Sequence, residues 1–303
     1  MILVTGASGF VGSTLFALGR GDLKAVFRAT DEVTFSDGYL VDSIDGKTVW
    51  DGAFDNVNTI IHLAGLAHSH SFSSKDYNRV NVAGTLRLAT KAAEAGVQRL
   101  VFVSSIGVNG ASTSSVPFSA VSELTPHNCY AQSKLDAELG LADIAAETGL
   151  ELVVVRPTLV YGAHAPGNFC SLSKLVSKLP FLPFGFANNK RDFISVNNLA
   201  DLLVTCATHP NAAGHTFLAS DSETVSIKEF TNAIAKGLGK KVIQLPVPVT
   251  LMRLAGKLTG KSAMIEQLYG NLEVDSSNIK EVLGWTPPFT MEQSMALLKQ
   301  MDK

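Results

Sequence analysis

The feature that most constrains this chain is where its first glycines fall. Met1 to Val4 is a short apolar run that leads straight into Thr5-Gly6-Ala7-Ser8-Gly9-Phe10-Val11-Gly12. A buried strand must therefore enter a tight turn and leave as a helix. Gly6 permits the turn, Gly9 lets the backbone approach a bound group, and Gly12 lets helix and strand pack closely. Amide N–H groups at a helix start lack partners inside the helix and carry the positive end of its dipole. The segment holding Gly6, Ser8, Gly9, Phe10, Val11 and Gly12 is thus suited to a pyrophosphate.

The chain then alternates. Apolar runs at Ile2 to Val4, Ala25 to Phe27, Thr59 to Leu63, Leu100 to Val103 and Leu152 to Val155 are followed by turn residues or helical patterns. They read as buried parallel strands, and the expected fold is α/β, a Rossmann-type doubly wound parallel sheet. Long helices are expected over about 74–95 and 126–148, closed by Gly96 and Gly149. Beyond Arg156-Pro157 the pattern breaks, with Pro166, Pro180, Pro183 and several glycines, then Trp285-Thr286-Pro287-Pro288 near the end. We expect a dinucleotide-binding domain over residues 1–160, completed by a strand near 192–196 and a helix over 197–208. Residues 161–303 then form mainly a smaller α/β substrate lobe.

Composition narrows the function. With 46% hydrophobic and 17% charged residues and a net charge of -2, the chain is globular and has no basic surplus for nucleic acid. The opening apolar run is too short for a signal peptide or a membrane span, so a cytoplasmic location and no membrane partner are expected. Cys129, Cys170 and Cys206 are odd in number and far apart, which suggests reduced thiols. His62, His68 and His70 lack a nearby Asp, Glu or Cys, so no metal is expected; His68 or His70 can line a substrate pocket.

Tyr130 and Lys134 lie four residues apart on the second long helix and so share a face. A tyrosine normally titrates near pH 10, too high to exchange protons well at neutrality. A cation about 4 Å away at an effective dielectric near 20 would contribute about 4 kcal/mol, and Lys134 can supply it. Tyr130 is the expected acid/base.

These motifs, in order, resemble the extended short-chain dehydrogenase/reductases, the NAD-dependent epimerase/dehydratase family. The likeness rests on TGASGFVG at the start, HLAG at His62 to Gly65, NVAGT at Asn81 to Thr85 and FVSSIGVNG at Phe102 to Gly110. It continues through YAQSK at Tyr130 to Lys134, RPTLVYG at Arg156 to Gly162 and RDFISVNNLAD at Arg191 to Asp201. Within the family the chain is similar to bacterial reductases of UDP-4-keto-6-deoxy-HexNAc type sugars and to UDP-glucose 4-epimerase-like proteins. VNG in place of the usual VYG, LPFG at Leu182 to Gly185 and the ending LGWTPPFT carry the first likeness.

The resemblance implies further roles. Ser105 matches the family's catalytic serine and would bond the reacting oxygen, while Ser104 would contact the cofactor. Leu63, Ala64, Gly65, Asn81 and Pro157 fall in the cofactor-lining motifs, and Lys134 would also bond the nicotinamide ribose. Arg191 and Asn168 match substrate-binding positions, Arg191 on the diphosphate. Gln267 stands where relatives often carry a second arginine, for which Lys261 can compensate. Dehydratases place an Asp-Glu pair at the positions of Ile106 and Gly107, so a 4,6-dehydratase is not expected. A homodimer formed through the two long helices is a family expectation.

At the end of the second strand, NAD readers place an acidic residue that bonds the adenosine ribose. This chain reads Val26-Phe27-Arg28, with Asp31 three residues on. Arg28 can meet a 2'-phosphate, so NADP(H) is favoured over NAD(H). The expected function is NADP(H)-dependent reduction of a 4-keto sugar nucleotide at C4, with the proton from Tyr130. The alternatives are an NAD-dependent UDP-sugar 4-epimerase and a non-catalytic dinucleotide-sensing protein.

Overall fold

The structure, a computed structural model, describes residues 1–31, 38–67, 71–260 and 262–302. In chain order the strands are β1 (Ile2–Thr5), β2 (Leu23–Arg28), β3 (Gly38–Val41), β4 (Thr59–His62), β5 (Arg99–Val103), β6 (Glu151–Pro157), β7 (Leu159–Tyr161), β8 (Phe181–Leu182), β9 (Phe193–Ser195), β10 (Thr216–Ala219) and β11 (Ile243–Gln244). The α-helices are α1 (Phe10–Ala17), α2 (Ser74–Tyr77), α3 (Thr85–Glu94), α4 (Cys129–Thr148), α5 (Gly167–Lys178), α6 (Val196–Thr208), α7 (Ile227–Gly237), α8 (Val249–Leu258), α9 (Ser262–Tyr269), α10 (Ser277–Leu283) and α11 (Met291–Ala296).

Seven strands form one parallel sheet in the order β10-β6-β5-β4-β1-β2-β3. Every residue of β1 and β4 is buried, as expected of central parallel strands covered on both faces. The order reverses between β1 and β4, and it is outside the carboxyl ends of strands at such a reversal that α/β sheets bind ligands. One face of the sheet packs Val4, Ile61 and Val101 against Leu199, Leu202 and Leu203 of α6. The other packs Leu3, Ile60 and Leu100 against Leu88 of α3 and Ala137 and Leu141 of α4. A separate core, with Phe169, Phe184, Phe230 and Tyr269, fills the lobe built from α5, α7, α9 and α11.

The expected strand near 192–196 exists as β9 but does not join the main sheet. It pairs with β7, Leu159 opposite Phe193 through Tyr161 opposite Ser195. The reason is steric: β10 already occupies the free edge of β6, from Thr216 opposite Val154 to Ala219 opposite Pro157. The helix expected to follow is α6, and it does cover the sheet.

Two helices set the site. The expected helix over 126–148 begins at Cys129, because the Asn128 side chain accepts a 2.8 Å hydrogen bond from the Ala131 amide and caps it. Gly149, at φ 77°, ends it in the left-handed conformation expected of a C-terminal glycine. The segment expected to be one helix over 74–95 is α2 and α3 joined by a π-helical stretch, Asn78–Gly84. That wider turn faces Asn81 toward the loop after β4.

Candidate active site

The glycine turn is tight enough to exclude side chains. Gly6 adopts φ 71°, and a Cβ there would lie 2.8 Å from the Ala64 amide. At Gly12 a Cβ would come within 2.3 Å of the Gly6 carbonyl. The Gly9 amide closes the turn on the Gly6 carbonyl at 3.0 Å, and no side chain caps α1, which leaves its first amides available to an anion.

Beside this turn the structure revises the reading of Arg28. Its guanidinium is tied to Asp31, with Nη2 2.9 Å and Nε 3.2 Å from Oδ1. The other carboxylate oxygen accepts the Arg28 amide at 2.9 Å and the Ser8 hydroxyl at 2.9 Å. Burial works to raise the Asp31 pKa, but the bonds from Arg28 and Ser8 prevail and hold it below its ordinary value. The group nearest the glycine turn is therefore a carboxylate rather than a free arginine.

Ser105, Tyr130 and Lys134 converge at the carboxyl end of β5. Tyr130, in the first turn of α4, is hydrogen-bonded with Ser105, whose hydroxyl also accepts the Gly107 amide at 3.1 Å. The Lys134 ammonium donates to the Val103 carbonyl at 2.9 Å and lies 4.8 Å from the centre of the Phe102 ring. The expected acidification of the phenol by Lys134 is not seen. Burial pushes the Tyr130 hydroxyl up to about 12, the Ser105 bond pulling only partway back, and burial brings Lys134 down to about 8 against the opposing charge of Glu138.

Other expected cofactor residues surround this point. A Cβ on Gly65 would sit 3.0 Å from Asn81 Oδ1 and 3.5 Å from Lys134 Nζ, so a side chain there would press on Asn81. Asn81 is spent on bracing: its Oδ1 accepts the Leu66 amide at 2.7 Å, and its Nδ2 donates to the Leu66 carbonyl and to Ser133 Oγ. The Ala64 amide donates to Thr5 Oγ1, Leu63 packs against the sheet core, and Pro157 ends β6. Phe10 and Val11 open α1, Val11 packing on the sheet core and Phe10 on that of the lobe.

The Ser104 hydroxyl is buried with no hydrogen-bond partner among the described residues. An orphaned hydroxyl on the residue after Val103, whose carbonyl Lys134 bonds, a glycine-lined anion turn and a carboxylate next to that turn together fit a dinucleotide.

Sequence reasoning missed the supports of this cluster. Tyr77 is buried and packs edge-on against Tyr130 with ring centres 6.0 Å apart. Arg156 and Glu138 form a buried pair, 2.5 Å between Nη2 and Oε2, and Arg156 also donates to Asn109 Oδ1 at 3.2 Å. These groups tie α4 to the segment after Ser105. The signal was Asn109 itself, the departure within VNG. His62 is buried between Thr5 and Thr85, at 2.6 and 2.8 Å, and burial lowers it to about 3. It reads as a neutral structural group; His68 and His70 lie outside the described residues.

On the substrate side, Arg191 is buried, its guanidinium donating to the Gly270 carbonyl at 3.0 Å. Among the described residues it pairs with no carboxylate, and burial lowers it to about 10. Asn168 stands exposed in the first turn of α5, and Gln267 is exposed on α9; no described hydrogen bond brings either to Arg191. Lys261 lies outside the described residues. A cavity of about 450 Å³ elsewhere, lined by Ser220, Thr224, Ser276 and Trp285 among others, contains none of the expected site residues.

The model of the NAD dependent epimerase/dehydratase family matches residues 2–219. A UDP-glucose 4-epimerase of Vibrio cholerae is 41% identical over 302 residues, spanning 96% of this chain and 92% of that protein. Among solved structures, UDP-glucose 4-epimerase of Thermotoga maritima with UDP-glucose superposes with a TM-score of 0.78 at 20% identity, covering 99% and 98% of the two chains. A Bordetella bronchiseptica enzyme in complex with NAD and UDP gives 0.74 at 20% identity, covering 99% and 93%. At such identity these two likenesses establish the fold.

Proposed function

Because this chain belongs to the NAD dependent epimerase/dehydratase family, we propose that it is an NAD-dependent 4-epimerase of a UDP-sugar. The observation that carries the reading is the near full-length likeness, at 41% identity, to a UDP-glucose 4-epimerase. The reduction of a 4-keto sugar favoured by the sequence motifs yields to it. Asp31 supports the same choice, since its carboxylate is placed to accept a ribose hydroxyl and to repel a 2'-phosphate.

Bound NAD would accept a hydride from C4 and return it to the opposite face of the sugar. The residues of this chain prepare the substrate for that exchange. Tyr130 takes the proton from O4 and gives it back, and Ser105, already bonded to Tyr130, holds the same oxygen in line. Lys134 keeps a positive charge beneath the site and Arg191 meets the diphosphate. Homodimerisation through α3 and α4 belongs to the same reading, with Leu139 exposed on α4; light scattering tests it.

The deciding experiment offers UDP-glucose, and separately UDP-galactose, with NAD and follows products by mass spectrometry. Interconversion of the two without change in mass and without net consumption of cofactor is expected. A gain of two hydrogens on a 4-keto sugar nucleotide, matched by NADPH loss, would instead establish the reductase. Dinucleotide binding with neither reaction would identify a sensor.

A further inference from the structure

We propose that the C-terminal lobe docks peripherally on an anionic lipid bilayer through α8 and the β8–β11 strand pair. The net charge of -2 conceals a strong segregation. Residues 152–191 and 230–260 hold ten of the 25 lysines and arginines and none of the 27 aspartates and glutamates. The same two stretches, less than a quarter of the chain, carry nine of the 18 large apolar side chains exposed among the described residues. Of those ten cations, Arg156 and Arg191 are buried, and Lys190, Lys236 and Arg253 pair with Glu273, Glu292 and Glu266. Lys174, Lys178, Lys240, Lys241 and Lys257 remain as exposed cations without a carboxylate among the described residues, and they alternate along the chain with the exposed apolar side chains, a coincidence that needs an explanation.

On α8 the pattern is that of a helix with a second apolar face. Leu251, Leu254 and Leu258 follow helical spacing and are 55%, 53% and 80% exposed. The opposite side is already used, Gly256 buried against Ile265 and Met252 packed on the lobe core. Phe181 and Ile243 are register partners on β8 and β11, so they share a face, and both are at least half exposed. Lys178, Lys241 and Lys257, in or beside these elements, pair with no carboxylate among the described residues.

A second copy of the chain would set cations against cations on this surface. Nucleic acid would match the lysines and leave the leucines in water. An anionic bilayer satisfies both, apolar side chains entering at the headgroup boundary while lysines meet phosphates. Such docking differs from spanning: no described helix is long and apolar enough to cross a membrane.

The test is co-sedimentation of the full chain with vesicles of phosphatidylcholine alone and of phosphatidylcholine with phosphatidylglycerol. Binding to the anionic vesicles only, weakened by salt, is expected. Leu254→Glu with Leu258→Glu, and separately Lys241→Glu with Lys257→Glu, should each lower partition by about tenfold or more, a lysine near such a surface being worth about fivefold. Both variants should keep turnover of a soluble sugar nucleotide, so this result is independent of the reaction assigned above. The proposal fails if wild type ignores anionic vesicles, or if the leucine variant binds them as wild type does. It fails equally if light scattering shows that the leucine variant merely splits a dimer that never bound vesicles.

Discussion

Arg28 and Asp31 form an ion pair across a single turn, Nη2 to Oδ1 at 2.9 Å, and the pair faces the glycine turn unequally: the Arg28 side chain is 56% exposed and that of Asp31 only 9%. The carboxylate is the buried, positioned member, bonded to Ser8 of the turn itself. Calorimetry should therefore find NADH bound more tightly than NADPH. Asp31→Asn removes the charge that a 2'-phosphate would oppose. Its NADH affinity should fall by about tenfold, the value of a hydrogen bond to a charged group, while the preference over NADPH narrows. Tighter binding of NADPH by the wild type would return Arg28 to the role first expected of it.

The phenol of Tyr130 is the group on which turnover should depend. Tyr130→Phe should lower kcat by about 10²–10⁴, the range for loss of a positioned acid/base, with dinucleotide binding unchanged by calorimetry. Burial places the phenol pKa at about 12. Its deprotonated form therefore becomes more populated as pH rises, and kcat should climb from neutral into alkaline solution. A pH–rate profile that is flat in the wild type would remove Tyr130 from the proton transfer.

Much of this was legible from the chain. The apolar runs placed β1, β2, β4, β5 and β6, since central parallel strands are buried on both faces and read as unbroken hydrophobic segments. Two sheet strands escaped. β3 lies at an edge with Gly38 and Leu40 exposed, and β10 offers only Thr216-Phe217-Leu218-Ala219 after a helix that draws the eye. The pairing of β9 with β7 was invisible for another reason, because which edge is already taken is a non-local fact. At the site, spacing showed that Tyr130 and Lys134 share a face but not where Lys134 aims. Its ammonium turns to the Val103 carbonyl, a contact across 31 residues. The Asp31 carboxylate was similarly out of reach, because in a short turn the sequence does not say which of two charged side chains folds inward.

Lys134 carries a cost that can be measured. Buried and lowered to about 8 from an ordinary 10.5, it is a cation that the fold disfavours by about 3 kcal/mol at neutral pH. Between those two values the unfolded chain binds the proton more strongly than the folded one, so wild-type stability rises as pH rises through that window. Lys134→Met should thus abolish turnover yet melt several degrees higher at pH 7. The advantage should fade as pH rises from about 8 and vanish above 10.5, where wild-type Lys134 is neutral in both states. Thermal denaturation at neutral and alkaline pH checks this, and a variant less stable than wild type at pH 7 would contradict it.

Arg191 presents the complementary case, a buried cation whose counter-charge would come with the substrate. Its guanidinium has the Gly270 carbonyl but no carboxylate among the described residues, and a buried charge without an opposite partner is costly. A diphosphate would satisfy it with charge-assisted, paired hydrogen bonds. UDP should therefore raise the melting temperature of the wild type, as any ligand of the folded state does. Arg191→Met should leave the free protein at least as stable, because the cation and its desolvation are both gone. Its UDP affinity should fall by about 10–100-fold, corresponding to about 1.5–3 kcal/mol for hydrogen bonds to a charged group. NADH affinity, measured in the same calorimeter, should not change. If UDP bound the variant as tightly as the wild type, the diphosphate would have to lie elsewhere, and the exposed positions of Asn168 and Gln267 would become the next to test.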